Sequence, residues 1–156
     1  MPTKLSPEIC YIAGMMNKTK QDERSAVGIR TTLDDVIEMF VEVALKLGVD
    51  TKKIVIEDVE GVRHVYFYNS KIAKHARELI GKETKVFRHR NQFAGSYLAG
   101  MFDAGGRKRG GRLSISGMTP SDRLMLDALG IRTRDSTIVN ASAFLSLVKG
   151  HSALLG

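Results

Sequence analysis

Gly95-Ser96-Tyr97-Leu98-Ala99-Gly100-Met101-Phe102-Asp103-Ala104-Gly105-Gly106 is the stretch on which the reading of this chain turns. It is apolar, rich in small residues, and runs straight into Arg107-Lys108-Arg109. Slid back along the chain without a gap, it meets an earlier copy of itself. Cys10-Tyr11-Ile12-Ala13-Gly14-Met15-Met16-Asn17 falls on Ser96-Tyr97-Leu98-Ala99-Gly100-Met101-Phe102-Asp103. Tyr, Ala, Gly and Met coincide, and every other pair is similar in size or polarity. In the same register Val27 falls on Leu113 and Ile29 on Ile115, so the chain reads as one unit written twice.

Each copy reads as a helix built to touch another helix closely. Cys10 and Gly14, like Ser96 and Gly100, share one helix face, with Ala13 and Ala99 beside them. Such spacing leaves almost no side chain to hold two backbones apart. These six residues are the expected helix interface.

The same residues carry a family resemblance. Leu98 to Gly106 resembles the LAGLIDADG motif of homing endonucleases and intron maturases, and Ile12 to Lys20 resembles a more decayed copy. The resemblance implies two motif helices paired at a pseudo-twofold axis above antiparallel sheets that form a saddle. It also implies a metal-binding carboxylate at the eighth motif position. Here the eighth positions are Thr19 and Gly105, and the sixth are Asn17 and Asp103.

Composition sets the bounds. At 156 residues the chain fits a single pseudo-dimeric domain, and a 43% apolar share is enough for a real core. The expected division is repeat one over 6–81, a linker over 82–91 and repeat two over 92–152. One cysteine excludes an internal disulfide and cysteine-rich zinc modules. Met1 to Leu5 carries no apolar leader core and no stretch is long enough to span a bilayer, so a cytoplasmic monomer is expected. The net charge of +7 suits a polyanionic partner.

Taken in order, the pattern is α+β: two α-β-β-α-β-β-α units with helices on one face of antiparallel sheets. Ser6-Pro7-Glu8 opens the first helix, which runs to about Asn17. A short strand is expected within Lys18 to Arg24, and a half-buried one over Ser25 to Thr31. Thr32-Leu33-Asp34-Asp35 has the form of a capping box, followed by an apolar stripe to Gly48. A hairpin is expected around Glu60-Gly61, then a helix capped by Asn69 or Ser70. In the second copy Thr119-Pro120-Ser121-Asp122 is another capped start, and Leu129-Gly130-Ile131 matches Leu47-Gly48-Val49 after a deletion of about one helical turn, ~3.6 residues.

Strand parity then predicts a surface. With Val27, Ile29, Leu113 and Ile115 turned inward, Arg24, Arg30, Arg112, Ser114 and Ser116 face out, and Arg132 and Arg134 join them. Lys18, Lys20, Arg107, Lys108 and Arg109 are expected in the helix-to-strand loops, the last three made flexible by flanking glycine pairs. Guanidinium and hydroxyl groups on a sheet surface suit phosphates and base edges in a wide groove. Double-stranded DNA is therefore the expected partner.

Cleavage by two metals needs carboxylates around both scissile phosphates. Asp103 is the only acid within either motif core, and it is read as capping its helix end rather than holding a metal. Asp22 and Glu23 follow the first motif, where the second copy has Lys108 and Arg109. No catalytic residue, metal or other cofactor is expected. Two further readings stay open: an endonuclease using Mg2+ in an unusual arrangement, and an RNA-binding protein like the maturases.

Overall fold

The computed structural model describes residues 4–21 and 23–156. The chain is α+β. Its first half contains α1 (Pro7–Asn17), β1 (Ala26–Thr31), α2 (Asp34–Lys46), β2 (Val55–Val59), β3 (Val62–Tyr68) and α3 (Ser70–Gly81). A short helix, α4 (Glu83–Val86), follows. The second half contains α5 (Gln92–Gly105), β4 (Gly106–Arg109), β5 (Arg112–Ile115), α6 (Pro120–Ala128), β6 (Thr133–Arg134), β7 (Thr137–Ile138) and α7 (Ala141–Val148). The two antiparallel sheets have strand orders β1-β3-β2 and β4-β5-β7-β6.

Caps fix most helix starts. Ser6 accepts from the Ile9 amide, Asn69 from Ile72, and Thr119 and Asp122 complete a reciprocal capping box. The expected box at Thr32 does not form. Helix α2 begins one residue later, with Leu33 at its cap, a residue that has no side-chain acceptor, and the Thr31 hydroxyl accepts from the Leu33 amide. At the hairpin tip, Glu60 and Gly61 both have positive φ (54° and 86°), the geometry that matches the twist of paired strands.

Helices α1 and α5 form the centre of the core. Every α1 residue from Ile9 to Met16 is buried, as is every α5 residue from Ala94 to Asp103. They meet through their glycines with a symmetry that follows the repeat. A Cβ on Gly14 would run into the Tyr97 carbonyl and lie 2.9 Å from the Met101 amide. A Cβ on Gly100 would run into the Tyr11 carbonyl and lie 2.9 Å from the Met15 amide. The ends run the same way, since position 105 sits against the Lys18 side chain. Ser96 turns from this seam towards His151 Nδ1, 3.3 Å away, and Gly95 gives α5 its close approach to the Leu147 carbonyl. Cys10 is wholly buried, and burial pushes its thiol up to about 12.

Two expected features differ. Among the described residues no strand forms between Lys18 and Glu23. Instead the Gln21 carboxamide lies along the free edge of β1, accepting from the Gly28 amide at 2.9 Å and donating to the Gly28 carbonyl at 3.0 Å. The connecting segment also does more than cross the surface: Glu83 and Phe87 are buried, and the Phe87 ring stacks on Tyr97 at 4.1 Å.

The glycine seam generates a contrast. Gly14→Ala or Gly100→Ala must push two helix backbones apart, a cost of about 1–3 kcal/mol or more, lowering Tm by roughly 2–4 °C per kcal/mol for a chain of this size. Gly81→Ala, with nothing within 4 Å of the new methyl, leaves Tm unchanged or raises it slightly. Thermal melts followed by circular dichroism check all three.

Candidate nucleic-acid interface

The outward face of the second sheet is built by register. Arg107 pairs with Ser114, Ser114 with Thr137, and Thr137 with Arg134, so one row crosses all four strands. Arg109 pairs with Arg112 in the next row. Their neighbours Leu113, Ile115 and Ile138 are buried on the other side. Arg132 and Arg134 are exposed beside inward Ile131 and Thr133. No acid occupies an outward strand position of this sheet. A concavity of about 320 Å³, lined by Gly105, Arg107, Arg109, Ser114, Ser116 and Ser136, opens where this face meets the end of α5. The Ser116 hydroxyl donates to the Gly105 carbonyl at its floor.

Arg107 to Arg109 is thus strand rather than flexible loop. The Gly110-Gly111 pair, with φ of 55° and 81°, closes a tight hairpin instead of loosening one. Lys108 falls opposite Leu113 on the inward side, yet stays exposed because β4 is an edge strand.

The first half contributes differently. Lys18 does not reach the surface: its side chain is 3% exposed, with Nζ 2.5 Å from Asp122 Oδ2 and 2.9 Å from the Gly117 carbonyl. Arg24 lies in the turn before β1, in a groove shared with Ser70, Lys74 and Arg77 of α3, rather than on the strand face. Lys20 is exposed, and its carbonyl accepts from Arg30 Nη1. Arg30 does lie on the outward face, in a row with His64 and Glu57. Tyr66, Tyr68 and Val55 complete that face, and the Tyr66 hydroxyl donates to Glu57.

Behind the seam sits a buried polar cluster that sequence reading missed. Asn17 donates to Glu83, to the Tyr97 hydroxyl and to Asp122. Glu83 also accepts from Tyr97 and Ser121, and Asp122 from Lys18 and the Thr119 amide. Burial drives the Glu83 carboxyl up to about 7, and the adjacent Asp122 carboxylate adds to the rise. Burial pushes Asp122 up too, but hydrogen bonds from Glu83, Lys18 and Thr119 outweigh it and leave Asp122 below its ordinary value. The capping box was the only trace of Asp122 in the sequence; Glu83 left none.

The symmetry-related position is simpler. Asp103 accepts from the Tyr11 hydroxyl at 2.5 Å, the Ser152 hydroxyl at 2.6 Å, and the Ala153 and Leu154 amides. It therefore ties the last turn of the chain to the seam, and both of its oxygens are committed. Gly105 offers no ligand, and a side chain there would press on the Lys18 stem. Asp22 lies outside the described residues. Among the described residues no group of three or more His, Cys, Asp or Glu side chains could hold a metal ion, and no helix is long and apolar enough to cross a membrane.

Parallel helices joined through glycines over two antiparallel sheets define the fold of the LAGLIDADG homing endonucleases. The solved structures that share it include a point variant of the homing endonuclease I-DmoI in complex with its target DNA and manganese. That likeness has a TM-score of 0.71 at 16% identity, over 97% of this chain and 99% of the other. I-DmoI with DNA and manganese gives 0.68 at 16%, over 95% and 99%, and mesophilic variants of I-DmoI give 0.67 at 16%, over 92% and 96%. No protein-family model matches the chain, and no curated protein matches it in sequence.

The buried cluster titrates in a defined window. A carboxyl raised from 4.5 to about 7 holds its proton in the folded state while the unfolded chain has lost it. Stability therefore falls as pH climbs from about 4.5 to about 7 and is flat above. The lowered Asp122 acts oppositely, losing its contribution only as pH drops below its ordinary value of 3.8. Urea unfolding between pH 5 and pH 8 checks this: Glu83→Gln removes the slope above pH 4.5.

Proposed function

We propose that this protein binds double-stranded DNA through the outer faces of its two sheets, chiefly the second, without cutting it. The observation that carries the reading is the row Arg107–Ser114–Thr137–Arg134, backed by Arg109 and Arg112 and free of acids at the strand positions. The two terminal arginines of that row lie on the outermost strands, three strand spacings apart, or about 14 Å at ~4.8 Å each. That separation is close to the ~12 Å width of a B-form major groove. Guanidinium groups then meet the phosphate walls while Ser114 and Thr137 face the base edges. I-DmoI, which shares the fold, is seen in complex with its target DNA.

The donor set supports binding without cleavage. A divalent ion at the motif ends would need carboxylates with open lone pairs. Asp103 is saturated by four donors, Glu83 and Asp122 hold Asn17, Lys18, Tyr97 and Ser121, and the eighth positions are Thr19 and Gly105. The Lys18 ammonium, 2.5 Å from Asp122 Oδ2, already occupies the cation side of this carboxylate.

Fluorescence anisotropy on a duplex across a range of salt tests the reading. Binding weakens linearly on a log–log plot. Replacing Arg107, Arg109, Arg112 and Arg134 with alanine lowers the slope by about 0.9 for each phosphate left unneutralised. An unchanged slope and affinity in that variant would sink the proposed face. Plasmid incubated with protein and Mg2+ or Mn2+ stays uncut; reproducible site-specific breaks would overturn the non-cleaving reading. Competition at equal salt with a structured RNA separates the maturase-like alternative, which predicts that RNA displaces the duplex.

A further inference from the structure

The outward face of the first sheet is chemically unlike that of the second. Its rows are Ala26–Tyr68, Gly28–Tyr66–Val55 and Arg30–His64–Glu57, with Val62 and Val59 paired at the end. Its Arg30 and Glu57 share one row with opposite charges, and each is held within the chain: Arg30 Nη1 donates to the Lys20 carbonyl at 2.9 Å, and Glu57 accepts from the Tyr66 hydroxyl at 3.0 Å. On either side of that charged row the face presents apolar groups. Tyr68 is 52% exposed and Val59 45%, far above what their residue types show in a packed core. The Tyr66 and Tyr68 rings meet edge to face at 5.7 Å, which holds them as a firm surface.

B-form DNA offers one apolar group in its major groove, the C5-methyl of thymine. Resting on the DNA-binding reading above, we propose that the first sheet recognises thymine methyl groups through Tyr68, Val55 and Val59, while the second sheet grips its half-site electrostatically. The target is then lopsided. One half is methyl-dependent and nearly indifferent to salt, and the other is salt-dependent and indifferent to methyl groups. The pairing of sheets to halves follows from charge: arginines without acids on one side, valines and tyrosine rings with internally balanced charges on the other.

The test replaces thymine by deoxyuridine, which keeps the base pair and deletes only the methyl. A duplex selected from a random library by the full chain is resynthesised with this change in one half at a time. Substitution in one half weakens binding roughly four-fold per contacted methyl, the equivalent of about 0.8 kcal/mol for one buried carbon. Substitution in the other half leaves Kd unchanged. Tyr68→Ala, at an exposed site, abolishes the methyl effect and keeps the salt slope. Arg107→Ala with Arg134→Ala does the reverse. Equal methyl sensitivity in both halves, or none, with duplex binding intact, overturns this inference and leaves the DNA reading standing. Methyl sensitivity that survives in Tyr68→Ala and Val55→Ala also overturns it. Failure to retain any duplex from the library overturns both.

Discussion

Two glycines set the distance between two backbones, and the rest of the molecule follows from that distance. Gly14 against the Tyr97 carbonyl and Gly100 against the Tyr11 carbonyl bring α1 and α5 into backbone contact. Close packing of this kind maximises dispersion contacts but tolerates no side chain. Because the helices run in the same direction, their C-terminal ends emerge side by side and launch the strands of both halves. A wider seam would separate the ends and, with them, the two sheets. The seam also gathers the tyrosines: Tyr11 reaches Asp103, and Tyr97 reaches Asn17, one hydroxyl for each sixth motif position.

Much of this was legible in the chain. Periodicity and caps gave α1, α3, α5 and α6, since Ser6, Asn69 and Thr119 act within a few residues of themselves. The alternation Leu113-Ser114-Ile115 gave β5 its two faces. What was not legible depends on partners far away in sequence. Lys18 reads as a surface cation in a basic loop, and only the fold brings Asp122 to it. Glu83 sits in a segment without periodicity, yet Asn17, Tyr97 and Ser121 converge on it. The Gly110-Gly111 pair reads as slack in the sequence, and only the neighbouring strands make it a tight turn. At Thr32 the box pattern was present, but the helix starts one residue further on, where Leu33 has no side-chain acceptor to close a box.

The two halves have diverged in what they place at equivalent positions. Asn17 and Asp103 occupy the same site of the motif, but one anchors a buried acid pair and the other clamps Ser152, Ala153 and Leu154. Breaking a buried ion pair on one side alone costs about 3–5 kcal/mol, so Lys18 and Asp122 are held to each other once both are present. The seam therefore joins unlike halves. The difference between the two outer faces, one arginine-rich and one aromatic, belongs to the same divergence.

The Gln21 side chain has a consequence for how the molecule behaves among its own copies. An outer strand with open amides and carbonyls invites another chain to add itself to the sheet. By folding its carboxamide onto Gly28, Gln21 fills that opening with a single residue where a full strand is missing. The opposite margin, β2, carries Glu57 and Asp58 next to the exposed Ile56. One rim is thus blocked at Gly28 and the other carries acids, and both features oppose edge-to-edge pairing of this sheet.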